Sequence, residues 1–180
     1  QEWAALKVLE SYKKRAIDDP TALCLPPGVP RVNSVGLFPI QIAQLPDQII
    51  FMYEYMNVFR VVPLNKPHPV DLEPSYLGDS VGHWEGDTLV VDTIGFQGGG
   101  GTPGGGRVTK NSHLTERFKL VDGGKTLSVT NTWDDPSVYL KPHTYEMTYH
   151  RSDPATYAFE EYCHADDEAQ SGSVVQPVQR

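Results

Sequence analysis

Three polar residues fall on strand faces that are otherwise apolar, and these side chains have the types and positions to do chemistry. In the run HLTERFKL, alternation puts Glu116 on one face with Leu114 and Phe118. Asn131 falls among apolar residues in the segment that follows, and Arg60 lies between two valines that share its face. Burying a charge is costly unless the charge is paired or lines a cavity. The pattern therefore predicts a polar patch inside the fold, built from Arg60, Glu116 and Asn131, with Glu54 of the preceding strand as a further candidate.

This polar patch has two interpretations, and both stay open. One is an internal ion pair that fixes the register of the strands. The other is a small-molecule pocket with a few convergent polar groups and aromatic walls, in which Arg60 and Glu116 orient the polar end of an apolar or aromatic ligand. The second interpretation predicts these ligand-binding residues: Glu54, Arg60, Trp84, Glu116 and Asn131.

An acid–base pair of glutamate and histidine is the second functional hypothesis. Glu116 or Glu85, acting with His113 or His83, would suit lyase, isomerase or hydrolase chemistry. The predicted catalytic candidates are Glu116, His113 and His83. The sequence has no GxSxG elbow, no Walker loop and no cysteine beside an activating histidine.

The six histidines carry no HxH or HxxxH spacing that would place two metal ligands on one face. We therefore predict no metal site and no other cofactor. A set drawn from separate strands, such as His68, His83 and His113 with a carboxylate, is the alternative.

The elements that must position these residues are short strands separated by turns. The run SVGHWEGDTLVVDTIGF reads as a hairpin, in which Gly86 supplies the positive φ of the turn. Such a sequence predicts a mainly β protein, an antiparallel up-and-down meander that closes as a lipocalin-like barrel or half-barrel because closure removes exposed edges. A two-sheet sandwich is the alternative. The predicted strands are 40–45, 48–56, 58–64, 79–84, 87–96, 112–121, 125–133, 144–151 and 156–164.

The chain divides into three predicted parts. Residues 1–36 form an N-terminal helix over Glu2–Ala16 and a Pro-rich extension, which we expect to run over the surface as extended chain. Residues 37–165 form the β-barrel domain. Residues 166–180 form a polar tail. The Gly-rich segment 97–107 is assigned no function.

The charge and the two cysteines indicate where the protein works. A net charge of −8 argues against nucleic acid or an anionic membrane as partner. No apolar run reaches the length of a membrane span. Cys24 and Cys163 are expected to form a disulfide, with two unrelated buried thiols as the alternative. A disulfide and a chain that starts at Gln1 predict an exported protein, periplasmic or extracellular.

The run GHWEGDTLVVDTIGF resembles the signature of a family of exported bacterial proteins of unassigned function. Further pieces that resemble this family are DPTALCLPPGVPR, the Pro67-His68-Pro69 loop, HLTERF, DDP at 134–136 and the terminal EYC. The resemblance extends from Asp19 to Cys163 and implies export and a single fold over that range. The Gly-rich segment departs from the mixed polar loop of the family.

A third hypothesis is an accessory or structural subunit of an envelope or extracellular assembly. Its protein partner would bind through the Pro-rich extension, the long loops or an exposed strand edge.

Overall fold

The computed structural model describes residues 20–34, 36, 38–99, 107–153, 156 and 163. Most of these residues fold into, or connect, the strands of two antiparallel sheets. The first sheet has three strands and the second has five, each in chain order. This confirms a mainly β protein with antiparallel neighbours. The strands are β1 (Ile40–Gln44), β2 (Gln48–Tyr53), β3 (Phe59–Pro63), β4 (Asp79–Glu85), β5 (Thr88–Ile94), β6 (His113–Val121), β7 (Thr126–Asp134) and β8 (His143–His150).

The first sheet buries the face of β2 that carries Ile49, Phe51 and Tyr53. β2 ends at Tyr53 rather than continuing to Met56, because a short 3₁₀ turn follows in which Met56 has a φ of 62°. Glu54, the residue after β2, has helical backbone angles at the start of this turn.

The second sheet is built around the predicted central hairpin of β4 and β5. Gly86 has a φ of 63° at the turn, as the sequence predicts, and His83 pairs with Val90 in the ladder. β6, β7 and β8 then add in order. Each strand is antiparallel to the strands beside it. Residues that are paired between one strand and the next therefore form rows that run across the sheet.

The junction between the sheets lies at β3 and β4. Segment 65–78 interrupts the meander there, and a single parallel bridge pairs Leu64 with Gly82. The inner faces of the two sheets nevertheless share one core, in which the Phe51 and Phe118 rings lie 5.1 Å apart. The eight described strands form two separate sheets that do not close as a barrel. Closure stays a prediction, because most of the ninth predicted strand lies outside the described residues.

The Pro-rich extension packs into the core, so the prediction that it wraps the surface is wrong for this segment. A 3₁₀ turn covers Pro20–Leu23, and a one-turn helix, α1, covers Arg31–Ser34. Val29 and Val32 are buried in the shared core. The apolar side chains of the extension gain more from burial beside the sheets than from exposure to water. The predicted helix over 2–16 and the tail at 166–180 lie outside the described residues.

The disulfide between Cys24 and Cys163 is present and confirms the predicted pairing. It joins residues separated by 139 positions. The bond therefore ties the extension to the far end of the chain. Among the described residues, no helix is long and apolar enough to cross a bilayer.

Candidate functional site

A buried ion pair between Arg60 and Glu116 lies at the centre of the inner face. The Nη2 atom of Arg60 is 2.5 Å from Oε2 of Glu116. Arg60 also donates from Nε to Ser80 Oγ at 2.8 Å and from Nη2 to Thr93 Oγ1 at 2.7 Å. One side chain of β3 therefore contacts β4, β5 and β6. Burial, the largest single cause, opposes a charged guanidinium, but the charge of Glu116, the interaction with Tyr53 and the hydrogen bonds to both together outweigh it and raise the pKa of Arg60.

The other carboxylate oxygen of Glu116 binds the Pro-rich extension. Asn33 of α1 donates from Nδ2 to Oε1 of Glu116 at 2.9 Å, and the hydroxyl of Tyr149 donates to the Asn33 carbonyl at 2.8 Å. Both oxygens of Glu116 are thus engaged, which is the condition under which a fully buried carboxylate is tolerated.

Glu116, Asn131 and Tyr145 form a row across β6, β7 and β8. The register pairs Glu116 with Asn131 and Asn131 with Tyr145. Among the described residues, three buried atoms at this row have neither a hydrogen-bond partner nor an ion pair: Oδ1 of Asn131, the hydroxyl of Tyr145 and Nε1 of Trp133. Trp133 lies two residues beyond Asn131, on the same face of β7. We call these four residues the inner polar row.

Aromatic rings surround the inner polar row on two sides. The Phe96 ring lies 5.3 Å from Trp133, and the His143 ring lies 5.7 Å from Tyr145. Tyr139 stacks beyond His143 at 6.4 Å. The unpartnered polar atoms are therefore set among flat, apolar surfaces, as in many small-molecule sites.

The phenols near Glu116 stay protonated at neutral pH. Burial, followed by the negative charge of Glu116, raises the pKa of Tyr145 and of Tyr149. Burial also raises the pKa of Tyr53, where Arg60 opposes the shift and Glu116 adds to it. These side chains can donate hydrogen bonds but do not supply a base, which favours binding over proton abstraction at the inner face.

The structure brings only some of the predicted site residues together. Arg60, Glu116 and Asn131 converge as the sequence predicts. Trp84 shares the inner face of β4 but lies near its hairpin end and is 42% exposed. Glu54 follows β2, at the start of the 3₁₀ turn.

The predicted Glu116–His113 pair does not form. The two residues project from opposite faces of β6, because they are separated by an odd number of positions, and Glu116 is buried whereas His113 is exposed. His83 does contact Glu85, at 3.2 Å, but on the exposed hairpin, where Arg117 also binds that carboxylate.

A second cluster lies on the outer face of the second sheet, and sequence reasoning did not find it as a unit. His68 contacts Asp79 through Nδ1 at 2.5 Å and Asp92 through Nε2 at 2.9 Å. His113 contacts the other oxygen of Asp92 through Nε2 at 2.5 Å. We call these four residues the outer His–Asp cluster.

The metal alternative considered His68, His83 and His113 with a carboxylate. The structure brings two of these histidines to Asp92 and leaves His83 at the hairpin with Glu85. Within the described ranges, no three His, Cys, Asp or Glu side chains are arranged to hold a metal ion.

An open groove of about 410 Å³ lies elsewhere, beside the Gly-rich segment. Its walls include Arg107, Thr109, Lys110 and Ser137. None of its lining residues belongs to the inner polar row, so this groove is not the cavity that the sequence predicts next to Arg60 and Glu116.

Sequence reasoning missed Tyr145, Tyr149 and Asn33. The alternation of TYEMTYH places both tyrosines on one face, a signal that could have added them to the polar patch. No local pattern predicts that Asn33 reaches Glu116, 83 positions away.

No family model, no curated protein and no solved structure matches this chain.

Proposed function

We propose that this chain is an exported β-sheet protein that binds a small molecule at the inner polar row, within a lipocalin-like barrel or half-barrel. The observation that carries the proposal is the set of unpartnered buried atoms on Asn131, Trp133 and Tyr145. A buried polar atom left without a partner costs about 1–3 kcal/mol. Three such atoms at neighbouring positions are consistent with a surface that a ligand satisfies.

The surroundings define the ligand that we propose. The buried rings of Phe96 and Trp133, with Tyr145 beside them, make the surroundings aromatic and favour an apolar or aromatic ligand body. Trp133 Nε1 and the Tyr145 hydroxyl are donors, and Asn131 Oδ1 is an acceptor. The Arg60–Glu116 pair, which joins β3 to β6 beside these groups, orients the polar end of the ligand.

Two tyrosines of β8 allow a direct test. Tyr145 and Tyr149 share a face, but the hydroxyl of Tyr149 is bonded to Asn33 and that of Tyr145 is unpartnered. We expect Tyr149→Phe to lose about 1 kcal/mol of unfolding free energy, the usual value of one hydrogen bond. We expect Tyr145→Phe to leave stability unchanged and to weaken binding.

The probes are phenol, benzamide and benzoate, titrated against the protein while tryptophan fluorescence and the thermal midpoint are followed. We expect at least one to shift both signals in the wild type and in Tyr149→Phe, and less so in Tyr145→Phe and Asn131→Leu. The proposal fails if no probe shifts either signal, or if Tyr145→Phe costs as much stability as Tyr149→Phe and leaves binding unchanged.

Acid–base catalysis is a second candidate function, favoured by His113 and Asp92. The imidazole of His113 is about half exposed and lies 2.5 Å from Asp92, a carboxylate that can orient it. Aspartate thus takes the place of the predicted glutamate. We expect any lyase, isomerase or esterase activity found with chromogenic aryl esters or enolisable ketones to vanish in His113→Gln and to persist in His83→Gln. Equal activity in both variants would remove this candidate.

A further inference from the structure

His68 fastens an otherwise exposed segment to the second sheet. Of residues 65–74, only His68 and Leu72 are partly buried, and the others are exposed. Backbone bonds fix the two ends of the segment, from Asn65 N to the Gly82 carbonyl at 2.8 Å and from Ser75 N to the Gly95 carbonyl at 3.1 Å. Between these ends, the position of the segment depends on two side chains.

Both ring nitrogens of His68 face carboxylates, and the two carboxylates belong to different strands. Nδ1 lies 2.5 Å from Asp79 of β4, and Nε2 lies 2.9 Å from Asp92 of β5. A carboxylate only accepts hydrogen bonds, so both contacts are favourable only when both nitrogens carry a proton. A neutral imidazole would turn a lone pair toward one of the two carboxylates.

We propose that His68 is a proton-dependent latch, which as imidazolium holds residues 65–74 against strands β4 and β5 and releases them on losing a proton. The latch bears on the junction between the two sheets, because the segment connects β3 to β4. Release would uncover the outer face of the second sheet beside Asp92. The proposal is independent of the ligand proposed for the inner polar row.

The charges around His68 favour the protonated form. Asp79 and Asp92 face the ring directly, and His113 of β6 shares Asp92. The charged residues on the segment itself are Lys66, Asp71 and Glu73.

Two pKa shifts of opposite direction set the pH range of the latch. Partial burial opposes the charge of His68, but hydrogen bonds to Asp79 and Asp92 outweigh it and raise the pKa of His68. Burial likewise opposes ionisation of Asp92, and the bonds from His113 and His68 outweigh it and lower the pKa of Asp92.

These directions fix the sign of the pH dependence. A raised histidine pKa stabilises the latched form fully below the ordinary histidine value of about 6.5, and this contribution is lost as the pH rises through the raised value. The lowered carboxylate pKa keeps Asp92 ionised through mild acid. The latch is therefore closed in mildly acidic solution and opens as the pH rises through the raised pKa of His68.

Amide hydrogen exchange of peptides from 65–78 tests the latch in the full-length protein. Protection, corrected for the intrinsic rate, is compared at about pH 5.5 and pH 8.5, on either side of the histidine range. We expect protection in the wild type to fall at the higher pH, by about tenfold for each unit by which folding raises the pKa of His68. Peptides from β6 and β7 should keep their protection.

Three variants decide the outcome. His68→Gln should lose the pH dependence, and His83→Gln, which alters an exposed histidine outside the cluster, should keep it. Asp79→Asn leaves His68 with one carboxylate, so the loss of protection should move to lower pH, and this variant serves if His68→Gln does not fold. Equal protection of the wild-type segment at both pH values, or an unchanged pH dependence in the variant that is tested at position 68 or 79, would overturn the proposal.

Discussion

Arg60 and Glu116 form a buried ion pair between strands of different sheets, with Nη2 and Oε2 2.5 Å apart. The two strands are not hydrogen-bonded neighbours, so the pair supplies a connection that the backbone ladder does not. Because Ser80 and Thr93 complete the guanidinium contacts, the pair fixes how β3 lies on the second sheet. The register interpretation and the pocket interpretation of the polar patch are therefore compatible.

Glu116→Gln should destabilise the protein by about 3–5 kcal/mol, because it leaves the buried charge of Arg60 without its counter-ion. Urea unfolding monitored by circular dichroism measures the loss. The matched control is Glu85→Gln, which alters an exposed glutamate paired with Arg117 and should change stability far less, because solvent screens the pair. The double variant Arg60→Met with Glu116→Leu should recover much of the lost stability. A cost for Glu116→Gln no larger than that of Glu85→Gln would contradict the role of the pair.

Gly82→Ala should weaken the junction between the sheets. A Cβ atom at this position would lie 2.9 Å from Cγ1 of Val62 and 3.3 Å from the Val90 carbonyl oxygen, so β3 and β4 would have to separate. We expect a loss of about 1–3 kcal/mol in urea unfolding, the usual cost of overpacking. Gly86→Ala is the comparison, since its Cβ meets nothing and only its φ of 63° opposes the change. A smaller cost at Gly82 than at Gly86 would show that the strands do not meet closely at Gly82.

Asp135 should make the protein sensitive to acid. Its buried carboxylate accepts hydrogen bonds from Thr109, Ser112 and Ser137. Burial opposes ionisation, but these bonds outweigh it and lower the pKa of Asp135. Its stabilisation is present above the ordinary aspartate value of about 3.9 and is lost as the pH falls through the lowered value.

The pH dependence of urea unfolding checks this contribution of Asp135. Asp135→Asn, which turns an amide toward the same donors, should cost about 2–3 kcal/mol at neutral pH and flatten the acid limb of the stability curve. Asp134→Asn, one position earlier in the chain, serves as the matched control and should retain that limb. An unchanged acid limb in Asp135→Asn would count against the assignment.

The disulfide should contribute about 2–5 kcal/mol, the usual range for a native bond. Its loop of 139 positions is long, so cross-linking restricts the unfolded chain over most of its length. Unfolding in urea with and without a reductant, and of the Cys24→Ser/Cys163→Ser variant, measures the contribution. Intact mass should rise by two protons on reduction. Equal midpoints under both conditions would show that the bond does not restrict the unfolded chain.

Alternation and turn chemistry made the strands predictable from sequence. The predicted hairpin at 79–96 and the strands 112–121 and 125–133 agree with β4 to β7 within a few residues, because each strand has one buried face and tight turns between. The predicted range for β2, 48–56, runs three residues too far. Both faces of this stretch are apolar, and no sequence pattern marks the 3₁₀ turn that ends the strand.

The sequence by itself determined the positions of the eight described strands to within a few residues, the disulfide pairing and the polar residues on the core faces, Arg60, Glu116 and Asn131. These follow from local alternation and from a short inventory of cysteines. Only the tertiary structure decided which groups meet. Asn33 with Glu116, and His68 with Asp92, are contacts between separate segments, and no local pattern encodes the distance between such segments.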